Sequence, residues 1–350
     1  MLDIINRYAH GLVAVPILEA CRGIGLFGSL RREGPATVST LTARLGANAG
    51  HLSAALRLLD GLGWVDRGPG GAYRLLPASD QLAAIPSDIH DLISRDLAEA
   101  VATGGDDELR PWAGLSISRW PGAGDYLADL LDGLWVIPVW LGLAARDPAD
   151  PVRAAVQLPG PLGDDVRRLL TDRQWLTRTG DGWSATSTGQ HMAERMGITG
   201  TVASYRPMLQ RTRQLLVGDA RAVFERDIAG HEKHLDRTLN VTASGFQHGK
   251  YFTDLERALL RVFDDPDLDQ QPGYIVDTGC GDGTLLRQLY DAIQSRSLRG
   301  RALSSHPLTL IGADLNAQAL AATSRTLRGL PHLTVHADIN APAGLLDALA

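Results

Sequence analysis

The spacing of apolar positions changes along this chain, and the change divides it into two parts. Over the first 200 residues, apolar positions recur every three or four residues, which predicts amphipathic helices. Beyond about residue 270, short runs that are apolar on both faces alternate with helical patterns, as parallel strands between covering helices do. The pattern therefore predicts a helical N-terminal region followed by an α/β domain with a parallel sheet.

Two segments of the helical region are similar to each other. LLDGLGWVDRGPGG (58–71) and LLTDRQWLTRTGDG (169–182) share a leucine pair, a tryptophan, an arginine and the last glycine at an offset of 111 residues. Each predicts the end of a helix, a strand, a glycine-rich turn and a return strand. Helices followed by a hairpin indicate a winged-helix fold. We therefore predict two winged-helix-like units, residues 1–110 and 111–200, the second also serving as an adaptor.

The third helix of the first unit would be the one to contact DNA. Its core side carries four leucines, Leu52, Leu56, Leu59 and Leu62, and its outward side carries His51, Ser53, Arg57 and Asp60. One arginine beside one aspartate is too little positive charge to neutralise phosphates. The net charge of −6 also argues against a nucleic-acid partner. The pattern favours dimerisation or docking over DNA binding.

The segment YIVDTGCGDGTLL (274–286) has the strongest chemical pattern in the chain. An apolar strand ends at Asp277, three alternate glycines allow a tight turn, and helical spacing begins at Thr284. A strand, a glycine turn and a helix place backbone N–H groups against a small ligand. A P-loop is excluded because the turn lacks the Gly-Lys-Ser/Thr ending. A dinucleotide fold expects G-x-G-x-x-G, whereas the spacing here is G-x-G-x-G.

Two further strands are predicted, and each ends near an aspartate. PLTLIGADLN (307–316) contains Asp314 and precedes a helix with Asn316 as its N-cap. HLTVHADI (332–339) contains Asp338. A carboxylate at the end of the second strand can accept hydrogen bonds from both hydroxyls of a ribose. Acids at three strand ends predict a site for a nucleoside-type cofactor.

These residues resemble motifs of class I S-adenosylmethionine-dependent methyltransferases. The resemblance implies that the glycine turn contacts the methionine part of the cofactor and that Asp277 holds its amino group or fixes the loop. It further implies that Asp314 binds the ribose and that Asp338, or the backbone after it, reads the adenine. The implied cofactor contacts are Asp277, Gly279, Cys280, Gly281, Asp282, Gly283, Asp314, Leu315, Asp338 and Ile339.

Residues 232–263, together with these strand segments, resemble the methyltransferase domains of modular polyketide synthases, in particular starter-building modules of the apratoxin and saxitoxin kind. The resemblance implies C-methylation of a malonyl-type acyl unit on an acyl carrier protein. Some such members use a mononuclear iron or manganese ion, for which Gln247 and His248 are the weak candidate ligands; His248 capping a turn or lying in a lid interface is the alternative. His231 and His234, three apart on a predicted helix, are interpreted as a solvated surface.

The predicted fold is a winged-helix/adaptor region, a helical lid or linker (201–270) and the first half of a Rossmann-like domain (271–350). The chain ends at Ala350, twelve residues after Asp338, with three predicted strands where the family has about seven. We therefore expect a C-terminally truncated domain whose catalytic residues, apart from His248 as a weak candidate, lie beyond residue 350. On this expectation, these residues alone do not turn over substrate.

Composition places the chain among globular proteins, with 44% apolar and 21% charged residues. Its two cysteines, Cys21 and Cys280, lie far apart and fit a reducing cytoplasm, and no uninterrupted apolar run predicts a membrane span. The excess of arginine over lysine suggests a bacterial source. We expect a cytoplasmic polyketide methyltransferase whose partners are a carrier protein or neighbouring synthase domains. The alternatives are a homodimeric winged-helix O-methyltransferase and a non-catalytic docking scaffold.

Overall fold

A computed structural model describes residues 2–104, 107–180, 182–228, 230, 232–339, 343 and 345, with only the backbone described for residues 2, 107 and 245–250. The chain divides into two compact units, residues 1–240 and 241–350. The division falls inside the segment that the sequence predicts as a helical lid or linker. Each unit is described by itself below.

The first unit is built from helices and two short hairpins. Its first half contains α1 (Leu2–Gly23), α2 (Leu26–Glu33), α3 (Val38–Leu45), α4 (Ala49–Gly61), β1 (Val65–Arg67), β2 (Tyr73–Leu75), α5 (Ile89–Ser94), α6 (Leu97–Thr103) and α7 (Arg110–Ile117). Its second half contains α8 (Asp125–Arg146), α9 (Pro151–Gln157), α10 (Gly160–Asp172), β3 (Leu176–Thr179), β4 (Gly182–Ala185), α11 (Ser187–Arg195), α12 (Gly200–Ala203), α13 (Arg206–Leu209) and α14 (Thr212–Val217). A further helix, α15 (Arg237–Phe263), begins in the first unit and continues into the second.

The two predicted hairpins are present, and their entry turns share one geometry. Strands β1 and β2 pair antiparallel, as do β3 and β4. Trp64 and Trp175 follow the ends of α4 and α10. Each tryptophan donates its backbone N–H to the carbonyl five residues earlier, at 2.9 Å for Trp64 and 2.8 Å for Trp175. The residue before each tryptophan is left-handed, Gly63 at φ 75° and Gln174 at φ 59°. This is the Schellman ending of a helix, so the sequence repeat is also a structural repeat.

The long helices α1 and α8 cross with their backbones in contact at two glycines. A Cβ on Gly11 would lie 1.9 Å from the carbonyl oxygen of Leu130, and a Cβ on Gly133 would lie 2.1 Å from that of Tyr8. The contacts are reciprocal, because each glycine meets the residue three positions before the other. The two helices therefore approach closely at both glycines, and both contribute residues to the larger hydrophobic core.

Helix α8 is also apolar enough to be considered as a membrane span. Among the described residues, it passes a test of length and hydropathy alone, and α1 with α2 would pass it as one bent pair. In this fold, 89% of the apolar window of α8 is buried against other residues. A buried core helix of a folded domain has this same composition.

The second unit holds a parallel three-stranded sheet in the order β5-β6-β7, formed by β5 (Tyr274–Thr278), β6 (Thr309–Asp314) and β7 (His332–His336). Its helices, besides most of α15, are α16 (Thr284–Arg296), α17 (Leu298–Arg301) and α18 (Ala317–Thr326). The strands, the helix starting at Thr284 and the N-cap at Asn316 agree with the sequence predictions. The smaller core consists chiefly of Phe263, Leu286, Tyr290, Ile293, Leu308, Leu310 and Leu327.

Two expectations from the sequence are wrong in detail. Strand β5 is not buried on both faces: Tyr274 is 60% exposed, because within the described sheet β5 is an edge strand that pairs only with β6. Residues 232–236 are not helical, since α15 begins at Arg237. His231 lies outside the described residues, and the ring of His234 packs against Phe224 with centroids 5.1 Å apart.

Candidate cofactor site

The turn after β5 is shaped by three glycines in the left-handed region. Gly279, Gly281 and Gly283 have φ values of 84°, 58° and 78°, a conformation that side chains with a Cβ rarely adopt. The N–H groups of Gly279 and Cys280 donate to the carbonyl of Ala313 in β6, at 2.7 and 3.1 Å. These bonds hold the turn over the carboxyl end of the sheet. Helix α16 starts directly behind it, so its first N–H groups lie at the site.

Asp314, the last residue of β6, is bound to the turn through its side chain. Its Oδ2 accepts from the backbone N–H of Gly281 at 3.1 Å, and its Oδ1 accepts from that of Asn316 at 2.8 Å. Each carboxylate oxygen retains a further lone pair that can accept a hydrogen bond. Asp314 therefore fixes the turn and also presents acceptor capacity to a ligand.

Asp277, near the end of β5, is a half-buried carboxylate. Burial raises its pKa above the ordinary value, and the negative charge of Asp314 raises it further. Within the described part of the chain, its side chain makes no hydrogen bond or ion pair. A carboxylate in this state is stabilised by a cationic group of a ligand.

The thiol of Cys280 lies inside the turn and is 6% exposed. Burial raises its pKa to about 11. Since the thiolate is the reactive form, this thiol reacts slowly while the turn keeps it buried. Its sulfur lies 3.3 Å from the hydroxyl of Thr323, so it serves as packing under the turn.

The other predicted contacts follow the ends of the strands or the turn itself. Asp282 accepts from the N–H of Thr284, the first residue of α16, at 3.0 Å. Leu315 and Ile339 are exposed by 47% and 73% and lie after β6 and β7. Asp338 comes two residues after the end of β7, rather than inside the strand as the pattern suggested. The parallel order brings all of these positions to one edge of the sheet.

Sequence reasoning missed Thr323, a fully buried residue of α18. Its hydroxyl donates to the carbonyl of Gly281 at 3.0 Å. The available signal was a threonine within a helical stripe of buried residues, Ala319, Thr323 and Leu327. A buried hydroxyl on an apolar stripe requires a hydrogen-bond partner, and the partner here is the cofactor turn.

The described part of the chain shows no cluster of metal ligands. Among those residues, three or more histidine, cysteine or acidic side chains nowhere converge as a metal site would require. The side chains of Gln247 and His248 lie outside the described residues. Their role as ligands therefore stays a prediction.

Three parts of the chain match protein-family models. Residues 232–350 match the model described as AprA MT2-like domain, residues 1–67 the AprA N-terminal domain, and residues 132–219 the AprA winged helix domain. The parallel sheet, its glycine turn and the match over residues 232–350 support a methyltransferase-like α/β domain in the second unit, and therefore an enzyme. A winged-helix match lies before it, and all three matched regions are similar to AprA.

A solved structure matches less strongly. It is the crystal structure of CalO1, a methyltransferase in calicheamicin biosynthesis, in its SAH-bound form, with 15% sequence identity and a TM-score of 0.21. The match covers 94% of this chain and 63% of that one, so this chain spans less than two thirds of its length. At such a score no correspondence between atoms follows. No curated protein matched the chain.

Proposed function

We propose that this chain binds S-adenosylmethionine at the carboxyl edge of its parallel sheet and that it serves to methylate an acyl unit held on an acyl carrier protein. The observation that carries the proposal is the pair of acids, Asp277 and Asp314, beside the left-handed glycine turn. The matches to AprA-type regions support the second part. Polyketide biosynthesis is the setting in which this substrate class is used.

The residues present fit this cofactor. A Cβ on Gly279 would meet no atom of the described residues within 4 Å, so they leave room for a ligand to approach its backbone. The carboxylate of Asp277, which has no hydrogen-bond partner among the described residues, suits the ammonium group of the methionine part, because a charge-assisted bond would offset its burial. The free acceptor capacity of Asp314 suits the ribose hydroxyls. The cofactor, when bound, supplies a methyl group activated by its sulfonium.

The contribution of these residues to methyl transfer is binding and orientation. Transfer from a sulfonium requires alignment of the acceptor atom with the methyl group, and deprotonation when the acceptor is carbon. The turn and the two acids hold the cofactor at fixed places on the sheet edge. An iron or manganese ion, if Gln247 and His248 held one as the resemblance implies, would stabilise the enolate form of the substrate, and metal analysis tests for it.

A cofactor-binding measurement tests the first part. Asp314→Ala removes charge-assisted hydrogen bonds worth roughly 1.5 to 3 kcal/mol. We expect calorimetry to give S-adenosylhomocysteine affinity weakened by about ten- to a hundredfold. The control is Asp291→Ala, which removes an exposed acid paired with Arg287 on α16 and should leave affinity unchanged. Unaltered affinity in the first variant, or tight NADH binding by the parent, would overturn the assignment.

The acceptor is tested by following labelled methyl groups. The assay offers malonyl-loaded carrier protein and small phenols to these 350 residues and to any longer natural chain containing them. Label in the acyl unit supports the proposal, and label in a phenol supports the O-methyltransferase alternative, for which the winged-helix repeat is the favouring observation. A protein that binds no cofactor would support the docking scaffold instead.

A further inference from the structure

The backbone of Gly281 is held from both sides by side chains that come much later in the chain. Its N–H donates to Asp314 at 3.1 Å, and its carbonyl accepts from the hydroxyl of Thr323 at 3.0 Å. The first contact joins residues 33 positions apart and the second joins residues 42 apart. The shape of the cofactor turn therefore depends on the end of β6 and on α18.

Thr323 supports the turn with both halves of its side chain. Its hydroxyl binds the Gly281 carbonyl and lies 3.3 Å from the sulfur of Cys280. Its methyl carbon lies 3.0 Å from where a Cβ of Gly283 would be and 2.9 Å from where one of Gly312 would be. The side chain thus fills the space between the turn and the sheet and is fully buried there.

The two anchors of Gly281 differ in what a bound cofactor would do to them. Asp314 is the residue proposed to accept the ribose hydroxyls, so its bond to the Gly281 N–H must then be shared. The bond from Thr323 comes from a fully buried hydroxyl to the carbonyl of Gly281, and it does not use the carboxylate proposed to bind the ribose. We propose that Thr323 is a positioning residue that keeps Gly281 in place while Asp314 engages the cofactor. The inference rests on the proposed function.

The chain contains a reporter for this role. Cys280 is within the turn, and the other cysteine, Cys21, is fully buried and can be removed as Cys21→Ala. In that background, the rate at which a disulfide reagent labels Cys280 reports opening of the turn. Burial is the largest influence on this thiol and raises its pKa, so faster labelling of Cys280 indicates opening of the turn.

Two substitutions separate the halves of the side chain. Thr323→Val keeps the shape and loses the hydroxyl, and we expect Cys280 to be labelled about tenfold faster, as loss of one buried hydrogen bond allows. Thr323→Ser keeps the hydroxyl, and we expect labelling within about twofold of the parent. Affinity for S-adenosylhomocysteine should follow the same order, weakened about tenfold by valine and little by serine. Far-ultraviolet circular dichroism checks that each variant is folded.

The outcomes distinguish this inference from the proposed function. The inference would be overturned if the serine variant were labelled fast, or if the valine variant kept the labelling rate and affinity of the parent. Either result would mean that Thr323 only packs. Each result is decisive by itself, even if the other variant failed to fold. Lack of binding by the parent and all variants would instead overturn the cofactor assignment, while the labelling order would still decide whether the hydroxyl holds the turn.

Discussion

Asp277 is a residue at which stability and the proposed function oppose each other. Burial and the charge of Asp314 raise its pKa, so the folded protein binds this proton more tightly than the unfolded chain does. Ionising Asp277 costs free energy in the folded protein. This cost is fully present at pH values above the pKa of Asp277 in the folded protein. It disappears below its pKa in the unfolded chain, because both states are then protonated. A site that receives a cation would keep such a carboxylate despite its cost.

Replacing this charge should therefore stabilise the second unit. For Asp277→Asn we expect a higher free energy of unfolding than the parent at neutral pH and a difference that vanishes as pH falls below about 3.9. All tryptophans lie in the first unit, so tryptophan fluorescence does not report on the second unit. Unfolding of the second unit is therefore followed by labelling of Cys280 in the Cys21→Ala background. Asp291→Asn is the exposed control and should change little. A destabilised Asp277→Asn protein would mean that the carboxylate has a stabilising partner.

At the scale of elements, the crossing of α1 and α8 leaves room only for glycine. Alanine at position 133 would place its Cβ 2.1 Å from the backbone of Tyr8, so the helices must move apart. Overpacking of this kind costs about 1 to 3 kcal/mol. We expect Gly133→Ala to lower stability by that amount in urea unfolding followed by tryptophan fluorescence. Gly114→Ala on α7, where a Cβ meets nothing within 4 Å, should not lower it.

Helix α4, in the unit predicted as the first winged helix, has an outward surface with little positive charge. In α4, Leu52, Leu56 and Leu59 are buried as the pattern predicted, and Arg57 is exposed. With so little positive charge, we expect the chain not to bind labelled duplex DNA at micromolar concentration in moderate salt. Fluorescence anisotropy measures this directly. Binding whose affinity falls steeply as salt rises would contradict the docking interpretation.

At the scale of the whole molecule, the described sheet has an open edge at β5. Its N–H and C=O groups on that side have no strand partner among the described residues, and Tyr274 is exposed there. Such an edge pairs readily with other chains.

We therefore expect residues 230–350 expressed alone to be largely insoluble or molten. Tyr274→Lys should raise the soluble fraction, because an edge lysine opposes strand pairing. We would measure the soluble fraction of the expressed protein and, by light scattering, the particle size in that fraction. Arg301→Lys, on α17 away from the strands, is the control. A monodisperse, folded parent fragment would show that the edge is covered in another way.

Much of this molecule could be read from local sequence because short-range physics determines it. Alternate glycines after an apolar strand predicted the turn, and Asn316 predicted the start of α18. The repeated Leu-Leu and tryptophan pattern predicted both hairpins. In each case the decisive atoms are a few residues apart, so spacing and backbone preference are sufficient.

Only the tertiary structure decided which elements face each other. The bond from Thr323 to Gly281, the second role of Asp314 and the reciprocal contacts of Gly11 and Gly133 join residues far apart in the chain. The sequence analysis did not single out Thr323; its helical spacing could indicate a buried face, but not that a glycine turn would meet it there. Sequence periodicity determines the direction of a side chain on its own element, whereas its partner depends on how separate elements pack.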